Sequence, residues 1–124
     1  MRPLLLLIDP DPLDLEAKAE LLAHGYRVVQ TASDVEGAEL ARLERPRAVL
    51  VNLDMPGVRG TTAVLRLKLA PRTRTIPVIA LATPRGENPE RALQLGCVAA
   101  ITRPFDGGVL AALIEGLATM PLAS

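Results

Sequence analysis

Leu4 to Ile8 form an unbroken apolar run, as expected for a strand covered on both faces, and the polar, proline-rich Asp9-Pro10-Asp11-Pro12 stops it. Asp11 before Pro12 predicts an N-cap with proline at the first helical position, after which Leu13, Ala17 and Leu21 recur at helical spacing up to Gly25. Residues 26–31 (YRVVQT) are rich in β-formers. Ser33-Asp34-Val35-Glu36 is a capping box that opens a second helix, which should end before Pro46. Residues 47–52 supply a third strand. Beyond the Met55-Pro56-Gly57 turn, Thr61 or Thr62 caps a helix to about Leu69, which Pro71 terminates. Residues 76–81 (IPVIAL) form a fourth apolar strand. Asn88-Pro89 repeats the cap-then-proline signature, with Leu93 expected on the inner face and Gly96 at the C-cap. Residues 98–101 form a fifth strand, and residues 106–118 a last helix with a core face through Val109, Leu110, Leu113 and Leu117.

This alternation of five strands and five helices predicts an α/β fold: a parallel sheet, helices on both faces and right-handed crossovers. In such sheets ligands gather in the crevice outside the carboxyl ends of the strands. The informative positions are therefore Asp9 to Asp11, Asn52 to Asp54, Ala82 to Thr83, and Thr102 to Pro104. No linker or repeat interrupts the pattern, so residues 1–124 are expected to form one domain, frayed from about residue 119 and without an output domain.

Composition narrows the function. The 124 residues and 49% hydrophobic content suffice for one core without staples. Lys plus Arg (14) balances Asp plus Glu (14), so no net basic charge draws in nucleic acid or a membrane surface. The first apolar run is too short for a signal-peptide core or a membrane span. The lone Cys97 excludes an internal disulfide and suits a reducing, cytoplasmic setting.

The strand ends carry a family resemblance. IDPDP, NLDMPGVRG, IPVIALAT and ITRPFD, in this order and spacing over nearly the whole chain, resemble the receiver domain of two-component response regulators. The resemblance implies a flavodoxin-like (βα)5 fold, doubly wound, with strand order 2-1-3-4-5. It also implies a phosphoryl-accepting Asp four residues before the Pro of MPG and two acidic residues after strand one that help bind Mg²⁺. A Thr or Ser ending strand four and a Lys before a cis-proline complete the set.

At those positions the chain departs from the pattern. The acceptor position is Asn52, whose neutral amide offers no anionic oxygen to attack phosphorus. The acidic pair falls on Asp9 and Pro10, leaving Asp9 as the main carboxylate for a metal that demands hard charged oxygens, so no cofactor is expected, Mg²⁺ included. The switch hydroxyl falls on Ala82 and the switch aromatic on Ala100. Thr83, one step along the strand, faces the other way. The Lys position is Arg103, expected to pair bidentately with Asp9, ahead of Pro104 as the implied cis-proline.

Other residues have plain explanations. Asp54 is expected to be a solvated turn residue, His24 a helix-end residue beside Gly25, and Cys97 a buried small hydrophobe. Arg72, Arg74, Arg85 and Arg91 are expected to be solvated. The function expected is a non-enzymatic pseudo-receiver that binds other signalling proteins, a histidine kinase or a separate output protein. The helix 4, strand 5 and helix 5 face, residues 88–118, is open to homodimerisation. The alternative is a phosphoaccepting receiver that uses Asp54, or a deamidated Asn52, with Mg²⁺. A nucleotide or flavin carrier is disfavoured, because the loop after strand one offers two carboxylates and two prolines where phosphate needs free N–H groups.

Overall fold

The structure, a computed structural model, describes residues 2–55 and 60–119, with side chains to residue 117. The Pro56-Gly57 part of the expected turn and the tail beyond residue 119 lie outside the described residues. Five strands, β1 (Leu4–Ile8), β2 (Arg27–Thr31), β3 (Ala48–Asn52), β4 (Val78–Ala82) and β5 (Ala99–Thr102), alternate with five helices. These are α1 (Leu15–Ala23), α2 (Asp34–Glu44), α3 (Gly60–Leu69), α4 (Pro89–Gln94) and α5 (Gly107–Thr119). The strands form one parallel sheet in the order β2-β1-β3-β4-β5, the flavodoxin-like arrangement.

Strand pleating divides the core. Leu6, Ile8, Val49, Val51, Val78 and Ala80 face α2, α3 and α4, meeting Ala41, Val64, Leu67 and Ala92. Their alternate neighbours Leu5, Leu7, Leu50, Ile79 and Leu81 meet Ala17 and Leu21 of α1 and Leu110, Ala111 and Ile114 of α5. Every residue of β1, β3 and β4 is buried, which explains their continuous apolar runs.

Local chemistry sets the helix ends, not always where the pattern placed them. The α1 cap is Asp14, whose Oδ1 accepts the Ala17 N–H at 2.8 Å, rather than Asp11. Asp11 is diverted because its own N–H donates to Asp9 Oδ1 at 2.9 Å. Ser33 caps α2 by accepting the Glu36 N–H at 3.1 Å, while its own N–H goes to Thr31 Oγ1. Asn88 caps α4 with Pro89 behind it, and Gly25 and Gly96 adopt the positive φ of C-cap glycines. Thr61 and Thr62 lie inside α3, and the residue before Gly60 is outside the described set.

Two core assignments need correction. Leu93 is 46% exposed because the six-residue α4 turns Ala92 inward, with Leu95 partly buried three residues on. Val109 is 57% exposed because the inner stripe of α5 runs through Leu110, Ala111 and Ile114, joined by the partly buried Leu113 and Leu117.

Candidate functional site

Parallel strands deliver Asp9, Asn52, Thr83 and Arg103 to one end of the sheet, each just past or at the tip of its strand. Asp9 follows β1 and is fully buried. Its Oδ1 accepts the Asp11 N–H at 2.9 Å and the Asn52 side-chain N–H at 3.1 Å, and its Oδ2 is paired with Arg103 Nη2. Gln30 Nε2 donates to the Asp9 carbonyl at 2.8 Å, fixing the backbone from β2. The Asp9–Arg103 pair is made through one guanidinium nitrogen and one carboxylate oxygen, not bidentately. The other carboxylate oxygen is already filled by the two N–H donors, so no fork can close on it.

Asn52 ends β3, nearly fully buried. Its Oδ1 accepts the Asp54 N–H at 2.8 Å, which turns its NH₂ toward Asp9. Rotating the amide by half a turn would set an oxygen against a carboxylate and an NH₂ against an N–H, so both neighbours select the same orientation. An amide serves this place better than a carboxylate because the place requires one donor and one acceptor.

Asp54 is not the solvated turn residue expected of it. It is half-buried, and its carboxylate accepts Thr83 N–H at 3.1 Å, Thr83 Oγ1–H at 3.0 Å and Glu87 N–H at 2.6 Å. The loop after β3 is thereby clasped to the loop after β4. Gly86 permits the approach, since a Cβ there would collide with the Asp54 carboxylate. That glycine, in a loop otherwise free to carry side chains, is the sequence signal for the clasp. The Thr83 hydroxyl is committed to Asp54 and does not reach toward Asn52.

Ala82 is fully buried in the layer under α2, α3 and α4, and Ala100 packs partly buried against the same layer, two residue pairs away along the β4–β5 ladder. Neither brings a polar group to the site. The Arg103–Pro104 peptide is cis, as the resemblance implied. His24 lies exposed at the end of α1 with its Nδ1 on the Glu20 carbonyl at 2.8 Å. Cys97 is buried, and burial pushes its thiol up to about 11, with the half-buried Lys68 ammonium nearby acting weakly in the opposite direction. Burial also lowers the Lys68 pKa. Its Nζ donates to the Arg74 and Ile76 carbonyls, well away from the Asp9 cluster. Arg72, Arg74, Arg85 and Arg91 are exposed. No described helix is long and apolar enough to cross a membrane.

The sequence and fold have recognisable relatives. Residues 5–115 match the response regulator receiver domain model. The chain is 35% identical over 80 residues to protein PilH of Pseudomonas aeruginosa, spanning 64% of this chain and 66% of PilH. It is 32% identical over 103 residues to the polar-differentiation response regulator DivK of Brucella anthropi, spanning 81% of this chain and 83% of DivK. The signal receiver domain of a signal transduction histidine kinase from Syntrophus aciditrophicus superposes with a TM-score of 0.78 at 28% identity, covering 98% of this chain and 99% of that one. With its sheet order, its strand-end cluster and this match over most of its length, the chain belongs to the response regulator receiver domain family of two-component signalling.

Proposed function

We propose that this chain is a receiver-type interaction module whose state is set by the hydrogen-bonded cluster at the strand ends rather than by phosphoryl transfer. The observation that carries this reading is the Asn52 side chain donating to Asp9 Oδ1 while Arg103 pairs with Oδ2. A nucleophile toward phosphorus needs an anionic oxygen, and Asn52 has none. Asp9, the deep anion of the cleft, already has both oxygens engaged. The donor set therefore does not fit Mg²⁺, which favours octahedral charged oxygens and keeps its waters unless carboxylates compensate. Among the described residues, no group of three or more His, Cys, Asp or Glu is arranged to hold a metal ion. Arg103 takes the place of the cation by supplying the positive charge against Asp9, and no catalytic turnover is ascribed to the cluster.

Partners of such a module are other signalling proteins, a histidine kinase or a separate output protein, as befits relatives of DivK and PilH. The docking face is the β5 edge of the sheet with α4 and α5, where Leu93, Val98 and Val109 stay 46%, 46% and 57% exposed. A second copy of the chain is one occupant of that face. The alternative acceptor, Asp54, has its oxygens taken up by Thr83 and the Glu87 N–H, which suits a clasp.

Titration with Mg²⁺ together with beryllofluoride, a phosphoryl mimic, followed through backbone amide NMR shifts, tests the reading. The Asp11, Asp54 and Thr83 amides are expected to stay in place. Saturable shifts at these amides would overturn it.

A further inference from the structure

The opposite end of the sheet has a different electrostatic character. Backbone bonds from Arg27 N–H to the Pro3 carbonyl and from Arg47 N–H to the Leu4 carbonyl, where the sheet begins, place these two arginines on either side of the start of β1. They stand two strand spacings apart, about 10 Å. Arg2 lies two residues ahead of β1. Arg45 ends α2 in the left-handed region, φ 50°, where glycine or asparagine is the usual residue and an L side chain costs about 1 kcal/mol. Its guanidinium also donates to the Arg72 carbonyl. These four arginines line a groove of about 580 Å³ in which Glu44 is the one acidic residue among the described lining residues, with three prolines among its walls. Among the described residues, no carboxylate lies within ion-pair distance of Arg2, Arg27 or Arg47.

The zero net charge thus conceals a separation. Asp9, Asp11, Asp14, Asp54, Glu87 and Asp106 lie at the carboxyl ends of the strands, and the arginine groove at the amino ends. We propose that this groove is a binding site for a small anion carrying two or more linked phosphates. A guanidinium fork matches phosphate oxygens two at a time. Arginines fixed by adjacent strand starts suit a compact chain of phosphates. The groove volume lies within the range of small-molecule sites, about 300–1,000 Å³. A docking protein would instead cover some 800 Å² per partner, and four arginines gathered round one groove of this size suit a compact polyanion better than so broad a surface.

Isothermal titration at low ionic strength, with inorganic tripolyphosphate, ATP and poly-glutamate as probes, tests the proposal. Wild-type protein is expected to bind tripolyphosphate saturably. R27Q/R47Q should bind it about tenfold more weakly, and R85Q/R91Q, which removes the same charge at α4 and the loop before it, within about twofold of wild type. ATP binding equal to tripolyphosphate marks the phosphate chain as the recognised part, and tighter ATP binding marks a free nucleotide as the ligand. Either supports the site. Absence of saturable binding, equal losses in the two double variants, or tighter binding of poly-glutamate would overturn it. The substituted arginines are exposed, and R2Q, at a residue outside every element, repeats the comparison if R27Q/R47Q does not give a wild-type circular dichroism spectrum.

Discussion

The Asn52 side-chain N–H donates to Asp9 Oδ1 across 3.1 Å, joining the tip of β3 to the residue after β1. Two carboxylates at that distance would repel unless a cation or a proton lay between them. An amide at position 52 removes the conflict and leaves Asp9 free to pair with Arg103. The amide at position 52 and the ion pair therefore belong to one arrangement.

Replacing that amide should be costly. Asn52→Asp keeps an acceptor for the Asp54 N–H but turns the donor facing Asp9 into an anion in a buried site. A loss of about 1–3 kcal/mol is expected in urea unfolding at neutral pH. Unchanged stability would mean the Asn52–Asp9 bond is not formed in solution.

Arg103→Ala leaves Asp9, which has no exposed surface, without its cation. Breaking a buried pair costs about 3–5 kcal/mol. With the Arg103 side chain 29% exposed, water recovers part of this, and about 2–3 kcal/mol is expected. In a double-mutant cycle with Asp9→Asn, the two losses should be strongly non-additive.

The fold was legible because β1, β3 and β4 are buried on both faces and punctuated by Asp, Asn, Pro and Gly, so pattern and chain reversals agreed. The site was legible only in part. Asn52, Asp9 and Arg103 stood out one strand end at a time, but Asp54 did not, because its partners Thr83 and Glu87 lie some thirty residues away and a single-loop reading sees only a polar turn. Leu93 and Val109 failed for a related reason. In short or strongly apolar helices the inner stripe is set by what the sheet presents, and periodicity alone does not choose between neighbouring apolar residues.

The clasp is expected to hold two loops together. Asp54→Ala removes the acceptor for the Thr83 and Glu87 amides, so native-state hydrogen exchange at both should accelerate while amides in β1 and β3 keep their protection. Gly86→Ala, which drives a methyl group into the Asp54 carboxylate, should give the same local pattern.

Cys97 should be inert and alkali-sensitive. With its thiol pushed from 9.0 to about 11, the thiolate fraction at pH 8 is about a hundredfold below that of an ordinary cysteine, and labelling by a disulfide reagent should slow at least that much against the unfolded chain. In the window from 9.0 to about 11 the folded chain keeps a proton that the unfolded chain has lost. Wild-type stability relative to Cys97→Ala should therefore fall as pH rises through that window, by about 2–3 kcal/mol in all, and run parallel below it.

The most direct measurement is intact mass after incubation of the purified protein with a small acyl-phosphate donor and Mg²⁺. The expected result is an unmodified mass for wild type. An added phosphoryl mass on the wild-type chain, abolished by Asp54→Ala or by a change at Asn52, would contradict a receiver held in one state by Asn52, Asp9 and Arg103.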